Sequence, residues 1–276
     1  RAYQKFVQAP EDLPFSHGAY ANRNRTEIIQ TAQRTIERSP GQEQTALVLG
    51  AGRMGDIPLE ELAQMFDKLT LVDIRTEQTR KAVEKLPPEL QQKITIIKAD
   101  VTGVTGDILQ GIQQQKAQKT DQEAFIDAVA QDFRAISVAD KPPDLGAHTF
   151  VSSSLLLSEL GHLPMALMAE LTNRGLFSDQ YRGELFTLCG RLQIAHINFL
   201  AKSTAPRGLV HFVDTFSDSI QKAHGVAQKN TLVDPGVPLA LRKLFTVDER
   251  PSTIWDYSPK KQYEIRSFAL RPPLVS

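Results

Sequence analysis

The sequence predicts an α/β protein, a doubly wound, mostly parallel sheet of seven strands with helices on both faces and an antiparallel end. Three observations predict it. From Ala46 onward, short apolar runs alternate with segments of helical spacing. Three glycines follow the first apolar run, and the chain closes on two β segments around a Ser258-Pro259 turn.

Before that alternation, "RTEIIQTAQRTIER" (25–38) carries Ile28, Ile29, Ala32 and Ile36 at helical spacing, and "SPGQEQ" ends it. Ala46–Leu49 reads as the first strand, and Leu59, Leu62 and Phe66 mark the helix after it. "LTLVDI" (69–74) and "KITIIKAD" (93–100) are the next strands, separated by a helix over 76–86 and a Pro87-Pro88 break. The stretch 101–146 exceeds one crossover, and its glutamine-rich portion reads as a solvated helical insertion. "AHTFVSS" (147–153) is the fourth strand, leading into a helix "SLLLSELGHLPMALMAEL". A longer helix over 180–202 and a strand over 207–216 follow, while 217–250 shows no clear pattern. The predicted organisation is an N-terminal helical extension (1–45), positioned as a lid, and an α/β domain (46–276) with an insertion at about 102–146.

Acidic and basic residues balance at 32 each, so no overall field favours nucleic acid or an anionic membrane. The one cysteine, Cys189, excludes an intrachain disulfide and a cysteine-rich metal site. Its helical context makes it a small packed residue rather than a nucleophile. No histidine and glutamate spacing fits a zinc helix, so no metal is expected. There is no apolar run of membrane-spanning length, and "RAYQKFVQAPEDLPF" lacks a signal-peptide core. The expectation is a cytoplasmic protein.

The stretch "ALVLGAGRMGDIPLEEL" (46–62) holds the chemistry. Gly50, Gly52 and Gly55 fit G-x-G-x-x-G, and Asp73 closes the second strand, which is also a dinucleotide pattern. A dinucleotide site needs a helix N-terminus facing the pyrophosphate. A helix starting near Gly52 would place Pro58 in its second turn, at a cost of about 3 kcal/mol. Starting after Asp56 makes Pro58 tolerable and Asp56 the N-cap, but sets a carboxylate where the pyrophosphate belongs. S-adenosylmethionine carries no phosphate. It needs a glycine turn, a carboxylate for the ribose diol (Asp73) and a polar group at the adenine (Asp100).

In these segments the chain resembles the class I S-adenosylmethionine-dependent methyltransferases. "LVLGAGRMG" is similar to that family's first motif, with Leu47 where an acidic residue is common. "LTLVDI" resembles its acidic second motif, "IIKADVTG" the adenine-side motif, and "HTFVSSSLLLSEL" its fourth strand and following helix. "FLAKSTAPRGLVHFVD" and the terminal "IWDYS…YEIRSFAL" resemble the approach to strand five and the last two strands, the final one inserted antiparallel. The resemblance implies S-adenosyl-L-methionine as cofactor and contacts from Gly50, Ala51, Gly52, Asp73, Ile74, Asp100, Val101 and Ser152. It implies a small-molecule or protein methyl acceptor.

The acceptor side is less defined. After strand four the chain has "VSSSLLL" where amino-group methyltransferases of this fold often carry an (Asp/Asn)-Pro-Pro-aromatic motif, which weighs against adenine or amide N-methylation. Candidate acid–base residues are Glu159 and His162, then His211 and Asp214 on strand five. Tyr20 and Arg23 are candidates for a lid that closes over the acceptor. Two other readings stay open: a non-catalytic S-adenosylmethionine-binding protein of the same fold, and an NAD(P)-dependent oxidoreductase.

Overall fold

The computed structural model describes residues 18–52, 55–118, 121–138, 142–156, 168, 179–221, 227–231, 234–250, 252–258 and 261–273. Eight helices and nine strands fall within them. They run α1 (Gly18–Arg38), β1 (Thr45–Leu49), α2 (Leu59–Met65), β2 (Lys68–Asp73), α3 (Glu77–Val83), α4 (Pro88–Gln91) and β3 (Ile94–Lys98). Next come α5 (Thr105–Gln118), α6 (Gln122–Ala135), β4 (His148–Ser154), α7 (Asp179–Lys202), β5 (Thr204–Gln221) and β6 (Ala227–Thr231). The chain ends with α8 (Gly236–Leu244), β7 (Thr246–Glu249), β8 (Thr253–Ser258) and β9 (Lys261–Arg271).

All nine strands join one sheet, whose main path is β3-β2-β1-β4-β5-β9-β7. The first five on this path pair in parallel, and β9 enters antiparallel between β5 and β7. The sheet the sequence predicts, mostly parallel with an antiparallel end, corresponds to the seven strands on this path. Two strands lie off it: β6 pairs with the far end of β5, and β8 with the start of β9. The path ends on β7, which lies inside the stretch whose pattern is unclear in sequence. The first of the two terminal β segments, β8, is an added strand.

Central strand β1 is apolar and buried from Ala46 to Leu49 because both of its faces are covered there. On one face Ala46, Val48, Leu69, Leu71 and Phe150 pack with α1 and α2 through Ile28, Ala32, Leu62 and Phe66. On the other, Leu47, Leu49, Val151, Val210 and Phe212 meet α7 and α8 through Ile197, Leu200, Val237 and Leu241. The stretch read as a solvated insertion, with helices α5 and α6, does more than sit in solvent. Ile108, Ile112, Phe125, Val129 and Phe133 form a separate core with Tyr181, Leu185, Leu188 and Leu192 of α7. Its glutamines line the other faces of α5, so composition alone hides the apolar stripe.

A bulge opens β5. His148 pairs with Thr204 and Phe150 with Leu209, so β5 spends three more residues than β4 between them. Pro206 and Gly208 lie in this bulge. A Cβ on Gly208 would fall 2.5 Å from the Thr149 carbonyl oxygen, which only glycine avoids.

Candidate functional site

The glycine turn lies at the carboxyl edge of the sheet, where β1 ends between β2 and β4. The Gly50 and Ala51 amides donate to the Val72 carbonyl, at 2.9 and 3.2 Å, and so bend the chain across the end of β2. Gly50 and Gly52 adopt φ values of 67° and 47°, in the left-handed region. A side chain at Gly50 would press on Leu156, at 3.4 Å from its Cδ1. The turn thus needs glycine for its backbone, and β4 crowds it from one side.

Asp73 faces the turn from the other side. Its Oδ2 accepts from the Gly52 amide at 2.8 Å and its Oδ1 from the Arg75 amide at 2.7 Å. Each oxygen has a second lone pair, which suits it to the two hydroxyls of a diol. Thr79, completely buried on α3, donates from its hydroxyl to the Gly52 carbonyl at 3.2 Å and pins the turn from below. Nothing in the sequence marks Thr79 as part of the site, since a threonine in a helix has no distinguishing spacing.

Helix α2 starts only at Leu59, with Pro58 in the N-cap position. Asp56 is not its cap, contrary to the sequence-based expectation. Its Oδ2 instead accepts from Asn24 Nδ2 of α1 at 2.9 Å. The cap geometry explains this, because Pro58 already precedes the first helical residue and α2 has no side-chain cap. Helix α2 therefore begins seven residues beyond Gly52.

Asp100 ends the third strand's exit and ties down the turn that follows. Its Oδ1 accepts from the Thr102 amide (2.9 Å) and hydroxyl (2.7 Å), and its Oδ2 from the Thr105 amide (2.8 Å). Three of its roughly four acceptor positions are so engaged. Ile74 and Val101 flank these carboxylates, Ile74 half-buried and Val101 buried.

The remaining candidates fall along a polar seam beneath α1. Tyr20, Asn24, Glu27 and Thr31 recur every three or four residues, and all are buried. Asn24 Nδ2 also reaches the Ser154 hydroxyl at 3.4 Å, joining α1 to the end of β4. Glu27 accepts from Arg23 Nε at 2.9 Å and from the Ser267 hydroxyl, and its Oε2 lies 3.5 Å from Arg250. Arg250 also donates to Thr31 Oγ1 at 2.9 Å. Burial pushes the Glu27 carboxyl up, but bonds from Ser267 and Arg23 and the Arg250 charge bring it net below its ordinary value.

His211 lies inside this seam. It is fully buried beside Ser152, 3.5 Å from Nδ1 to the hydroxyl, and burial together with the Arg250 charge drives its pKa down to about 3. Ser152 is likewise fully buried, opposite Val48 and two residues short of Ser154. Tyr20 packs on Val213, Ile265 and Leu155. Burial, then the charges of Asp56, Asp214 and Glu27, hold its phenol well above its ordinary value. The structure thus gathers Tyr20, Arg23, His211 and Asp214 into one neighbourhood. Glu159 and His162 lie outside the described residues. On the opposite face, His196 of α7 meets the Ser153 hydroxyl at 2.9 Å, away from the seam.

No family model matches the chain, and no curated protein matches it. Solved structures similar in fold include the N-methyltransferase NodS from Bradyrhizobium japonicum WM9, at 14% identity and a TM-score of 0.44 over 93% of this chain and 99% of that one. A SAM dependent methyltransferase from Aquifex aeolicus is 12% identical, with a TM-score of 0.40 over 100% and 99% of the two chains. The glycopeptide N-methyltransferase MtfA, complexed with S-adenosyl-L-methionine, is 11% identical, with a TM-score of 0.40 over 89% and 94%. Likeness this distant carries no information on substrate, which must come from the chain's own residues. No helix among the described residues is long and apolar enough to cross a membrane.

Proposed function

We propose that this chain is an S-adenosylmethionine-dependent methyltransferase. The observation that carries this reading is the bond from the Gly52 amide to Asp73, at 2.8 Å. It sets a glycine turn and a carboxylate side by side at the sheet's carboxyl edge, where open α/β sheets bind ligands. Asp73 would hold the ribose hydroxyls, Gly50, Ala51 and Gly52 the methionine portion, and Ile74 and Val101 the adenine. Asp100 would act chiefly by shaping the 100–105 turn, with one acceptor position left for the adenine amine.

A pyrophosphate fits poorly here. The helix after the turn begins seven residues beyond Gly52, behind Pro58, so its free amides and dipole are withdrawn from Gly50 and Gly52. This weighs against the oxidoreductase reading, which needs an anion site at the start of α2. When bound, the cofactor supplies an electrophilic methyl group on a sulfonium. The protein's part is then to orient an acceptor in line, exclude water and take a proton where the acceptor must lose one. We place the acceptor on the β4 side of the turn, under Tyr20 and the start of α1, with a small molecule or protein group as methyl acceptor in a cytoplasmic setting.

Thermal shift tests the reading. S-adenosylhomocysteine at 100 times its dissociation constant should stabilise the fold by about 2.7 kcal/mol. Stabilisation by NAD(P)H and not by S-adenosylhomocysteine would overturn it. Binding without methyl transfer to any acceptor would favour the silent binder of the same fold.

A further inference from the structure

The α1 seam changes character along its length. At Glu27 the carboxylate is matched by Arg23 and Arg250. One turn nearer the sheet edge, the Asn24 amide nitrogen donates to the Asp56 carboxylate and to the Ser154 hydroxyl. Asn24 is 2% exposed, and its Oδ1 has no hydrogen-bond partner while its Nδ2 is held by Asp56 and Ser154. A buried amide oxygen left without a donor costs about 1–3 kcal/mol. That makes it unusual among native side chains and marks a place where a donor is missing. The junction also adjoins the glycine turn, since the Ser154 carbonyl lies 4.0 Å from where a Gly50 Cβ would be.

We propose that this junction of Asn24, Asp56 and Ser154 binds an alkylammonium group, and that the methyl acceptor is an amine. The proposal rests on the methyltransferase reading above. Carboxylate, amide carbonyl and hydroxyl oxygens all accept hydrogen bonds, and an ammonium is the one common acceptor group that brings three donors and a positive charge. A carboxylate or phosphate acceptor would be repelled by Asp56. Burial first, and then the charges of Asp56, Asp214 and Glu27, raise the pKa of the neighbouring Tyr20 phenol.

The step balances without a further reactant. Asp56 takes one proton from the ammonium, leaving a neutral amine whose lone pair forms the new carbon–nitrogen bond. The carbon–sulfur bond breaks as it forms, and its electron pair goes to sulfur. The products are S-adenosylhomocysteine, a methylated ammonium and the proton on Asp56, which passes to water.

The same chemistry has a second source, the α-ammonium of the cofactor itself, and Asp56→Asn separates the two. Its near-identical shape keeps the fold, which an unchanged melting temperature would verify. S-adenosylhomocysteine binding is read by calorimetry, and the saturated protein is then titrated with benzylamine, benzyl alcohol and benzoate. Turnover is followed with a mixed set of primary amines and with matched acids and phenols. We expect benzylamine to bind at least tenfold more tightly than benzoate, the variant to lose that preference, and its S-adenosylhomocysteine affinity to stay within twofold. Amines should be methylated at least tenfold faster than acids or phenols. A tenfold loss of S-adenosylhomocysteine affinity in the variant would assign the junction to the cofactor and overturn the amine acceptor. Equal binding of benzoate, or turnover with acids or phenols and not amines, would overturn it too. Failure of the parent protein to bind S-adenosylhomocysteine would instead defeat the methyltransferase reading.

Discussion

Asp73 and Gly52 are joined across the sheet edge by a single amide-to-carboxylate bond, and the same carboxylate steadies Arg75 on the far side. Removing the carboxylate loses the support of the turn and, on the proposed function, the contacts to the ligand's sugar. Bonds to charged groups are worth about 1.5–3 kcal/mol each. Asp73→Ala should therefore weaken S-adenosylhomocysteine by about 10- to 100-fold in calorimetry. Unchanged affinity would place the sugar elsewhere.

The bulge at the start of β5 predicts a purely structural effect. Gly208→Ala forces a Cβ to within 2.5 Å of one backbone carbonyl and 3.0 Å of another, at Thr149 and His148. Strain of this kind costs about 1–3 kcal/mol, and each kcal/mol lowers the melting temperature by about 2–4 °C in a domain near this size. Calorimetric melting with and without ligand checks it; the loss should appear in both.

Two buried histidines make stability depend on pH. Burial lowers His196 to about 4, and burial with the Arg250 charge lowers His211 to about 3. Both stay neutral in the fold at pH values where the unfolded chain, with an ordinary value near 6.5, is protonated. The unfolded state then binds more protons, so stability rises with pH across this window. Stability should be full above about pH 6.5 and fall toward pH 4, by about 1.4 kcal/mol per pH unit for each histidine. Urea titrations at pH 7 and pH 5 measure the slope, and His196→Gln should remove one histidine's share of it.

Glu27 and Arg250 form a pair that is costly to break by halves. Glu27→Gln leaves the Arg250 guanidinium in the seam without its main counter-charge, and such losses run to about 3 kcal/mol. Replacing both with apolar residues, Glu27→Leu with Arg250→Met, should recover much of it. Denaturant midpoints of the two single variants and the double variant give the coupling directly.

The sequence exposes the parts of this molecule that repeat or that bend sharply. The alternation from Ala46, the glycine turn and Asp73 are readable because strand burial and left-handed backbone restrict residue type. The α1 seam is not, because Asn24, Glu27 and Thr31 are polar and their spacing looks like an exposed face until Ser154, Arg250 and Ser267 are brought to them. Apolar periodicity finds Ile28, Ile29, Ala32 and Ile36 on the same helix, and not the seam. Strand β7 escapes for a similar reason, since most of Thr246–Glu249 is exposed and polar and becomes a strand by pairing with β9. The insertion's core is hidden by glutamines that occupy the opposite sides of its helices.

One topological fact bears on how the molecule is made. Strand β9 comes near the end of the chain yet stands between β5 and β7, and Glu27 waits for Ser267, 240 residues downstream. During synthesis α1 emerges long before Arg250 and Ser267, two of the groups that satisfy its buried carboxylate. Ribosome-bound chains shorter than about residue 267 would therefore carry the Glu27 carboxylate without its Ser267 partner, while Ile28 and Ala32 could already pack against β1 and β4.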